Sequence, residues 1–226
     1  MPDQTLAVEI PGSGRVSALL TNPAAPGHRV LVVYAPGAGS SLRDPFGVFL
    51  AGRLAEAGYG LLRFQFPYTE AGRPMPDRNP VLEATWRAVI EAAREMSPRL
   101  VAGGRSMGGR IASQVVAQGV EVTGLALFAY PLHPPGRPER TRDAHLGSVA
   151  VPALFCSGTR DAFATPDVLR AAASQLSKAS LRFLEGADHG FNVAKASGRT
   201  REDVWQEACE SLLAFLRSLE GGASGD

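Results

Sequence analysis

Between Leu100 and Arg110 the chain reads Leu-Val-Ala-Gly-Gly-Arg-Ser-Met-Gly-Gly-Arg. A short apolar run ends in Gly-x-Ser-x-Gly, and a helical stretch of small residues follows at once. Few local patterns restrict a fold as strongly. A serine held on a sharp strand-to-helix turn brings the neighbouring backbone so close that only residues without a Cβ fit beside it. Gly104 and Gly108 flank Ser106 at those positions, and Gly109 lets the new helix lie tightly on its sheet. Such a turn is a nucleophile elbow, which lifts the hydroxyl above the sheet. The pattern alone occurs by chance in many chains, so its weight rests on its surroundings.

The surroundings agree. Thr5 to Ile10 and Arg15 to Leu20 are short strand candidates around Pro11-Gly12-Ser13-Gly14, which predicts an N-terminal hairpin. After the loop Asn22 to Gly27, strands and helices alternate. Val30 to Tyr34 is a continuous apolar run rich in β-branched residues, as a strand covered on both faces requires. Asp44-Pro45 reads as N-cap and first helical residue, and Phe46, Leu50 and Leu54 recur at helical spacing until Gly58. Gly60 to Phe66 is the next strand. Asn79-Pro80 opens a helix with Leu82, Trp86, Val89, Ile90 and Ala93 on one face.

The elbow helix runs from Met107 to about Gln118, followed by strands at Val122 to Ala129 and Pro152 to Cys156. Thr165-Pro166 starts a helix towards Leu176, and Leu181 to Leu184 is a strand. The last helix spans about Thr200 to Leu219, its start fitting a Thr200-x-x-Asp203 capping box. This alternation predicts an α/β fold: a mostly parallel central sheet with helices on both faces. Residues 1–220 are expected to form a single domain, with Gly221 to Asp226 a disordered tail.

Composition removes several function classes. With 23 basic against 22 acidic residues, nothing in the charge argues for nucleic acid or an anionic membrane as partner. Cys156 and Cys209 have no metal or redox spacing, and Cys156 lies in an apolar run where a buried, inert thiol is expected. The start, Met1-Pro2-Asp3-Gln4-Thr5, carries no basic, apolar leader, and no apolar run approaches the roughly 18 residues that span a bilayer. A cytoplasmic protein, monomer or homodimer, is the expectation.

A serine hydroxyl is a poor nucleophile at neutral pH. It needs a histidine to take its proton and a carboxylate to orient that histidine. Behind an elbow of this kind the partners follow in the order acid, then histidine. The chain offers Ser106, then Asp161 after the strand ending at Cys156, then His189 after Leu181 to Leu184. Each falls just beyond a strand, at the edge where parallel sheets bind ligands. His28, His133 and His145 compete with His189. Asp188 and Asp167 compete with Asp161, although Asp188 adjoins the histidine in sequence and Asp167 sits in a first helical turn.

An oxyanion needs two backbone donors. One is expected from Met107, after the nucleophile; the other from the loop Ala35-Pro36-Gly37-Ala38-Gly39-Ser40. Ala38 is the first candidate and Gly39 the alternative, since a Gly-rich turn lets either amide point inward. Between Ala129 and Pro152 lie about two dozen residues, too few for an independent cap, since domains start near 50. This linker holds Pro131, Pro134, Pro135 and Pro138 and is expected to cross the sheet edge stiffly. His133 in it and Tyr68 after the previous strand are candidate substrate contacts; an equal reading has His133 only bonding the Pro-rich loop. Arg105 and Arg110, with Arg137, Arg140 and Arg142, are candidates for drawing an acidic substrate. The competing reading pairs Arg110 with a surface carboxylate and packs Arg105 beneath the elbow.

At this point the residues resemble the α/β-hydrolase superfamily along essentially the whole chain. Three blocks carry a narrower likeness: Arg63-Phe64-Gln65-Phe66-Pro67-Tyr68, Gly103 to Arg110, and Tyr130-Pro131-Leu132-His133-Pro134-Pro135-Gly136. They resemble the family of testis-expressed protein 30, which includes a subunit of the nonspecific-lethal chromatin complex and is related to dienelactone hydrolases. The resemblance implies a single-domain α/β-hydrolase fold with minimal or no cap. Dienelactone hydrolases proper use cysteine where this chain has Ser106, which sets their lactone substrate apart.

The expected activity is cleavage of small or short-chain carboxylic esters, with Ser106, His189 and Asp161 as catalytic residues and no metal or organic cofactor. The expected partner is a small acyl substrate. Thioesters and small amides share the mechanism. A short-peptide hydrolase and a non-catalytic scaffold are the rival readings.

Overall fold

The computed structural model describes residues 3–25 and 28–221. Among these, eight strands form one sheet in the order β1-β2-β4-β3-β5-β6-β7-β8. Strands β1 (Gln4–Ile10) and β2 (Gly14–Thr21) are the expected hairpin, and β2 runs antiparallel to β4 (Gly60–Phe64). From β4 onward every neighbouring pair is parallel, through β3 (Val30–Ala35), β5 (Arg99–Arg105), β6 (Gly124–Phe128), β7 (Ala153–Gly158) and β8 (Ala179–Leu184).

Period-two alternation explains why this sheet is covered twice. In β3, Leu31, Val33 and Ala35 join one apolar core while Val30, Val32 and Tyr34 join the other. The first core is closed by α3 (Asn79–Arg94), α4 (Met107–Ala117) and α5 (Pro166–Ala173); the second by α1 (Pro45–Glu56) and α6 (Arg201–Gly221). The apolar stripe Leu82, Trp86, Val89, Ile90, Ala93 of α3 is buried throughout.

Local chemistry sets the boundaries. The Asp44 carboxylate caps α1 by accepting the Gly47 amide at 3.0 Å. Thr200 and Asp203 cap α6 reciprocally, at 2.7 and 3.1 Å. Two strands end before the sequence pattern does. The β4 ladder stops at Phe64, because Pro67 opens a one-turn helix, α2 (Pro67–Glu70), too short to leave a periodic signal. The β6 ladder begins at Gly124 and stops at Phe128, where Ala129, at φ +48°, turns the chain away from the sheet. The tail expected from Gly221 falls outside the described residues apart from Gly221, which closes α6.

The tightest junction joins the ends of β3 and β5 to the start of α4. A Cβ on Gly104 would lie 2.1 Å from the Ala35 carbonyl oxygen, and one on Gly108 2.3 Å from the same atom. No side chain can relieve either overlap, since the obstacle is backbone. Gly104→Ala is therefore expected to cost at least about 3 kcal/mol, combining the overlap with the strain of its φ of +146°. Urea denaturation read by circular dichroism measures this; a change within about 0.5 kcal/mol would contradict the crowding.

Candidate active site

Ser106 sits between β5 and α4 at φ +50°, ψ −118°, a conformation that disfavours any residue with a Cβ. Strain of this kind costs of order 1–3 kcal/mol and persists only where the surroundings impose it. Here the Ser106 amide donates to the Phe128 carbonyl at 2.8 Å, and the Ser106 carbonyl accepts the first bond of α4 from Arg110 at 3.0 Å. From behind, the Trp86 indole donates to the Gly108 carbonyl at 3.0 Å. The hydroxyl is thereby raised to the C-terminal rim of the sheet.

Two loops bring its companions to that rim. The turn after β7 carries Asp161, and the turn after β8 carries His189. The turns are laced together: Thr159 donates to the Leu184 carbonyl at 3.0 Å and Arg160 to the Ala187 carbonyl at 2.9 Å. His189 Nδ1 lies 2.8 and 3.0 Å from the two Asp161 carboxylate oxygens, and its Nε2 lies 2.9 Å from Ser106 Oγ. A carboxylate only accepts, so Nδ1 carries the proton and Nε2 presents its lone pair to the serine hydroxyl. The Asp161 side chain is wholly buried and takes a further bond from the Phe163 amide at 2.8 Å. Three residues separated by up to 83 positions thus form one continuous hydrogen-bonded series. Such a series can draw a proton from the hydroxyl as it attacks an electrophilic carbon.

The competing carboxylates have other duties. Asp188 accepts the amides of Gly190 and Asn192 at 2.7 and 2.8 Å and so shapes the histidine loop. Asp167 is exposed in the first turn of α5 beside Arg170. Of the other histidines, His28 stacks on Tyr59 and meets Glu220, far from the rim. His145 Nε2 lies 2.8 Å from Ser113 Oγ and 3.2 Å from the Tyr130 hydroxyl, tying the linker 131–145 to α4. His133 bonds the Pro-rich loop, its Nδ1 donating to the Pro134 carbonyl at 2.9 Å, and its ring stands 5.8 Å from Phe163. Phe163 in turn lies 4.5 Å from the His189 ring.

Met107 is the first residue of α4, so its N–H has no partner within the helix. In the loop after β3, the Ala38 amide makes no hydrogen bond among the described residues, whereas the Gly39 amide donates to the Tyr68 hydroxyl at 3.0 Å. The loop passes so near Ser106 that a Cβ on Gly37 would be 3.5 Å from its Cβ. Among the described residues the Ala38 amide therefore stays unengaged where the Gly39 amide does not. Tyr68 itself is buried.

Arg105 faces its own protein. Its guanidinium donates to the His189 carbonyl at 3.1 Å, lies 3.8 Å from the Asp44 carboxylate, and covers the Phe191 ring at 5.5 Å. Arg110 reaches the Gln114 amide oxygen at 3.1 Å, and among the described residues it pairs with no carboxylate. Sequence reasoning missed Asp44 as more than a helix cap. Buried, it also accepts the Tyr34 hydroxyl at 2.6 Å and stands behind Arg105. Phe163 was missed as well; its place two residues after Asp161 was the only signal. Both cysteines are buried, and burial raises their thiols, Cys209 to about 11. Among the described residues no three His, Cys, Asp or Glu side chains converge as metal ligands, and no helix is long and apolar enough to cross a membrane.

The chain belongs to the α/β-hydrolase domain family, whose model matches residues 28–217. Its fold is similar to that of an α/β serine hydrolase homologue from Coxiella burnetii, at TM-score 0.75 and 21% identity over 94% of this chain and 98% of that one. It is also similar to an α/β serine hydrolase without a lid from Xanthomonas campestris, at TM-score 0.74 and 19% identity, covering 95% and 96%. A dienelactone hydrolase from Anabaena variabilis matches at TM-score 0.72 and 19% identity, covering 94% and 97%. No cap domain interrupts the fold among the described residues.

The His145 contacts have a pH consequence. Burial first, and then the Arg110 cation, lower its pKa from 6.5 to about 4. A histidine that resists protonation when folded contributes stability fully present above about pH 6.5 and lost as pH falls towards 4. The urea midpoint is expected to fall across this window in the wild type and to fall less in His145→Gln. Parallel curves for the two proteins would refute the assignment.

Proposed function

We propose that this protein is a serine hydrolase of carboxylic esters acting on small or short-chain acyl substrates. The observation that carries this reading is the unbroken bond series Asp161–His189–Ser106, lying beside two unengaged amides. Ser106 Oγ attacks the acyl carbon while His189 Nε2 takes the hydroxyl proton. The carbonyl π electrons move to oxygen, where the Met107 and Ala38 amides stabilise the charge. Collapse of this intermediate expels the alcohol, which takes the proton from Nε2, and leaves Ser106 acylated. Water then repeats the sequence to release the acid, and Asp161 holds the imidazole in its tautomer throughout.

The linker 131–145 lies along the rim without adding a domain, which favours small acyl groups reaching Ser106 directly. Thioesters and small amides fit the same machinery. Within the family, the blocks Arg63 to Tyr68, Gly103 to Arg110 and Tyr130 to Gly136 support placing the chain with the group of testis-expressed protein 30. No cofactor takes part in these steps.

The test is covalent labelling with a fluorophosphonate probe, followed by peptide mass spectrometry. An adduct on Ser106 is expected, absent from Ser106→Ala, together with hydrolysis of short aryl esters that Ser106→Ala abolishes. Asp161→Asn is expected to lower kcat by about 10³- to 10⁴-fold while the protein stays folded. A native chain that forms no adduct would make it a scaffold of hydrolase shape.

A further inference from the structure

Each time Nε2 takes the Ser106 proton, the His189 ring becomes a cation at the rim of the sheet. Both ring nitrogens are already engaged, Nδ1 by Asp161 and Nε2 by Ser106. Any further stabilisation of that cation has to reach the ring through its faces or its carbon edge. Phe163 stands at that place. Its ring centroid lies 4.5 Å from that of His189, with 53° between the planes. The negative face of an aromatic ring attracts a cation out to about 6 Å from its centroid.

The phenyl ring is held on several sides. The Phe163 amide donates to Asp161 Oδ1 at 2.8 Å, so the residue that packs on the imidazole also fixes the carboxylate. Its carbonyl accepts the Leu132 amide at 3.1 Å, which binds it to the linker. Behind it stands the His133 ring at 5.8 Å, itself held through Nδ1 by the Pro134 carbonyl. The charged groups near His189 meet it elsewhere. Asp161 lies on Nδ1, Arg105 on the backbone carbonyl at 3.1 Å, and Asp188 is turned onto the Gly190 and Asn192 amides. An aliphatic side chain at 163 would fill this place without presenting a negative face.

We propose that Phe163 is a positioning residue that acts through His189, its π face stabilising the imidazolium formed as Ser106 is acylated and deacylated. The inference rests on the ester-hydrolase reading above. The phenyl ring itself exchanges no proton: the proton passes from Ser106 Oγ to His189 Nε2 and on to the departing alcohol. A neutral imidazole gains little from the face and the cation gains more, so the effect falls on the transition state and spares substrate binding. One residue thereby serves both partners of Ser106, the acid through its amide and the base through its ring.

The test varies the charge on the ring at nearly constant shape, by placing di-, tri- and pentafluorinated phenylalanine at position 163. With the acetyl ester of 4-nitrophenol as substrate, kcat is expected to fall in step with fluorine number. The pentafluoro ring should lose about 10-fold, with KM nearly unchanged and the urea midpoint close to wild type. Fluorophosphonate labelling of Ser106 is expected to slow in parallel, since it too needs the proton drawn from the hydroxyl. Phe163→Leu should lose about as much as the pentafluoro ring, and Phe163→Tyr should recover most of that loss. Rates that stay level along the fluorinated series overturn the proposal whatever Phe163→Leu does, because a packing role is blind to ring charge. Rates that rise with fluorination overturn it as well, since His189 would then meet the positive edge of the ring. Ester turnover retained by Ser106→Ala, or a native chain left unlabelled, overturns the ester-hydrolase reading and this inference with it, whereas a level series overturns the inference alone.

Discussion

Everything at the rim depends on a steric constraint in the backbone, where the Ala35 carbonyl at the end of β3 meets the turn from β5 into α4. Gly104 and Gly108 both press on that one oxygen. Because they do, α4 starts directly against the sheet and Ser106 is pushed into a left-handed conformation. The same closeness brings the loop after β3 alongside Ser106, so one crossing positions both the Ser106 hydroxyl and the loop that carries the Ala38 amide. Neither could be moved without moving the other. Preorganisation of this sort is what lets fixed dipoles act without rearranging at the moment of reaction.

The other half of the site is organised by hydrogen bonds between loops. Asp161 is a buried carboxylate, which is tolerable only because the Phe163 amide and the imidazole occupy its oxygens. His189 is fixed from its backbone as well as its ring: Arg105, one residue before the nucleophile, grips its carbonyl. Close approach again limits side chains, since a Cβ on Gly158 would lie 2.1 Å from the Ala187 carbonyl. The Asp161 loop and the His189 loop are therefore held together as one piece, and the separation between His189 Nε2 and Ser106 Oγ is set by the fold.

How much of this could be read from the chain follows from which features are local. The elbow is a run of adjacent residues with a steric reason for each glycine, so Ser106 stands out. The buried strands announce themselves as continuous apolar runs, and the caps at Asp44 and Thr200 lie beside the residues they serve. Asp161 and His189 were identifiable because each follows a strand, and topology then brings strand ends together. The difference between the Ala38 and Gly39 amides was not local. It turns on a hydroxyl 29 residues away, carried by a helix of four residues that leaves no periodic trace. Arg105 posed the same difficulty, because its partners Asp44 and His189 come from loops whose meeting depends on the packed sheet.

Arg105 also shows how a charge beside Ser106 is engaged by its own protein. Its guanidinium faces the His189 carbonyl, the Phe191 ring and a buried carboxylate that already accepts from Tyr34 and Gly47. Each contact lies on the protein side of the rim. Phe191, at φ +61°, and Ser106, at φ +50°, are both strained, and Arg105 touches one and is bonded in sequence to the other. The cation therefore links the two distorted turns that face each other across the site. Its charge stabilises the arrangement of Ser106 and His189, and the Phe163 ring packs on His189 from the other side, with His133 behind it.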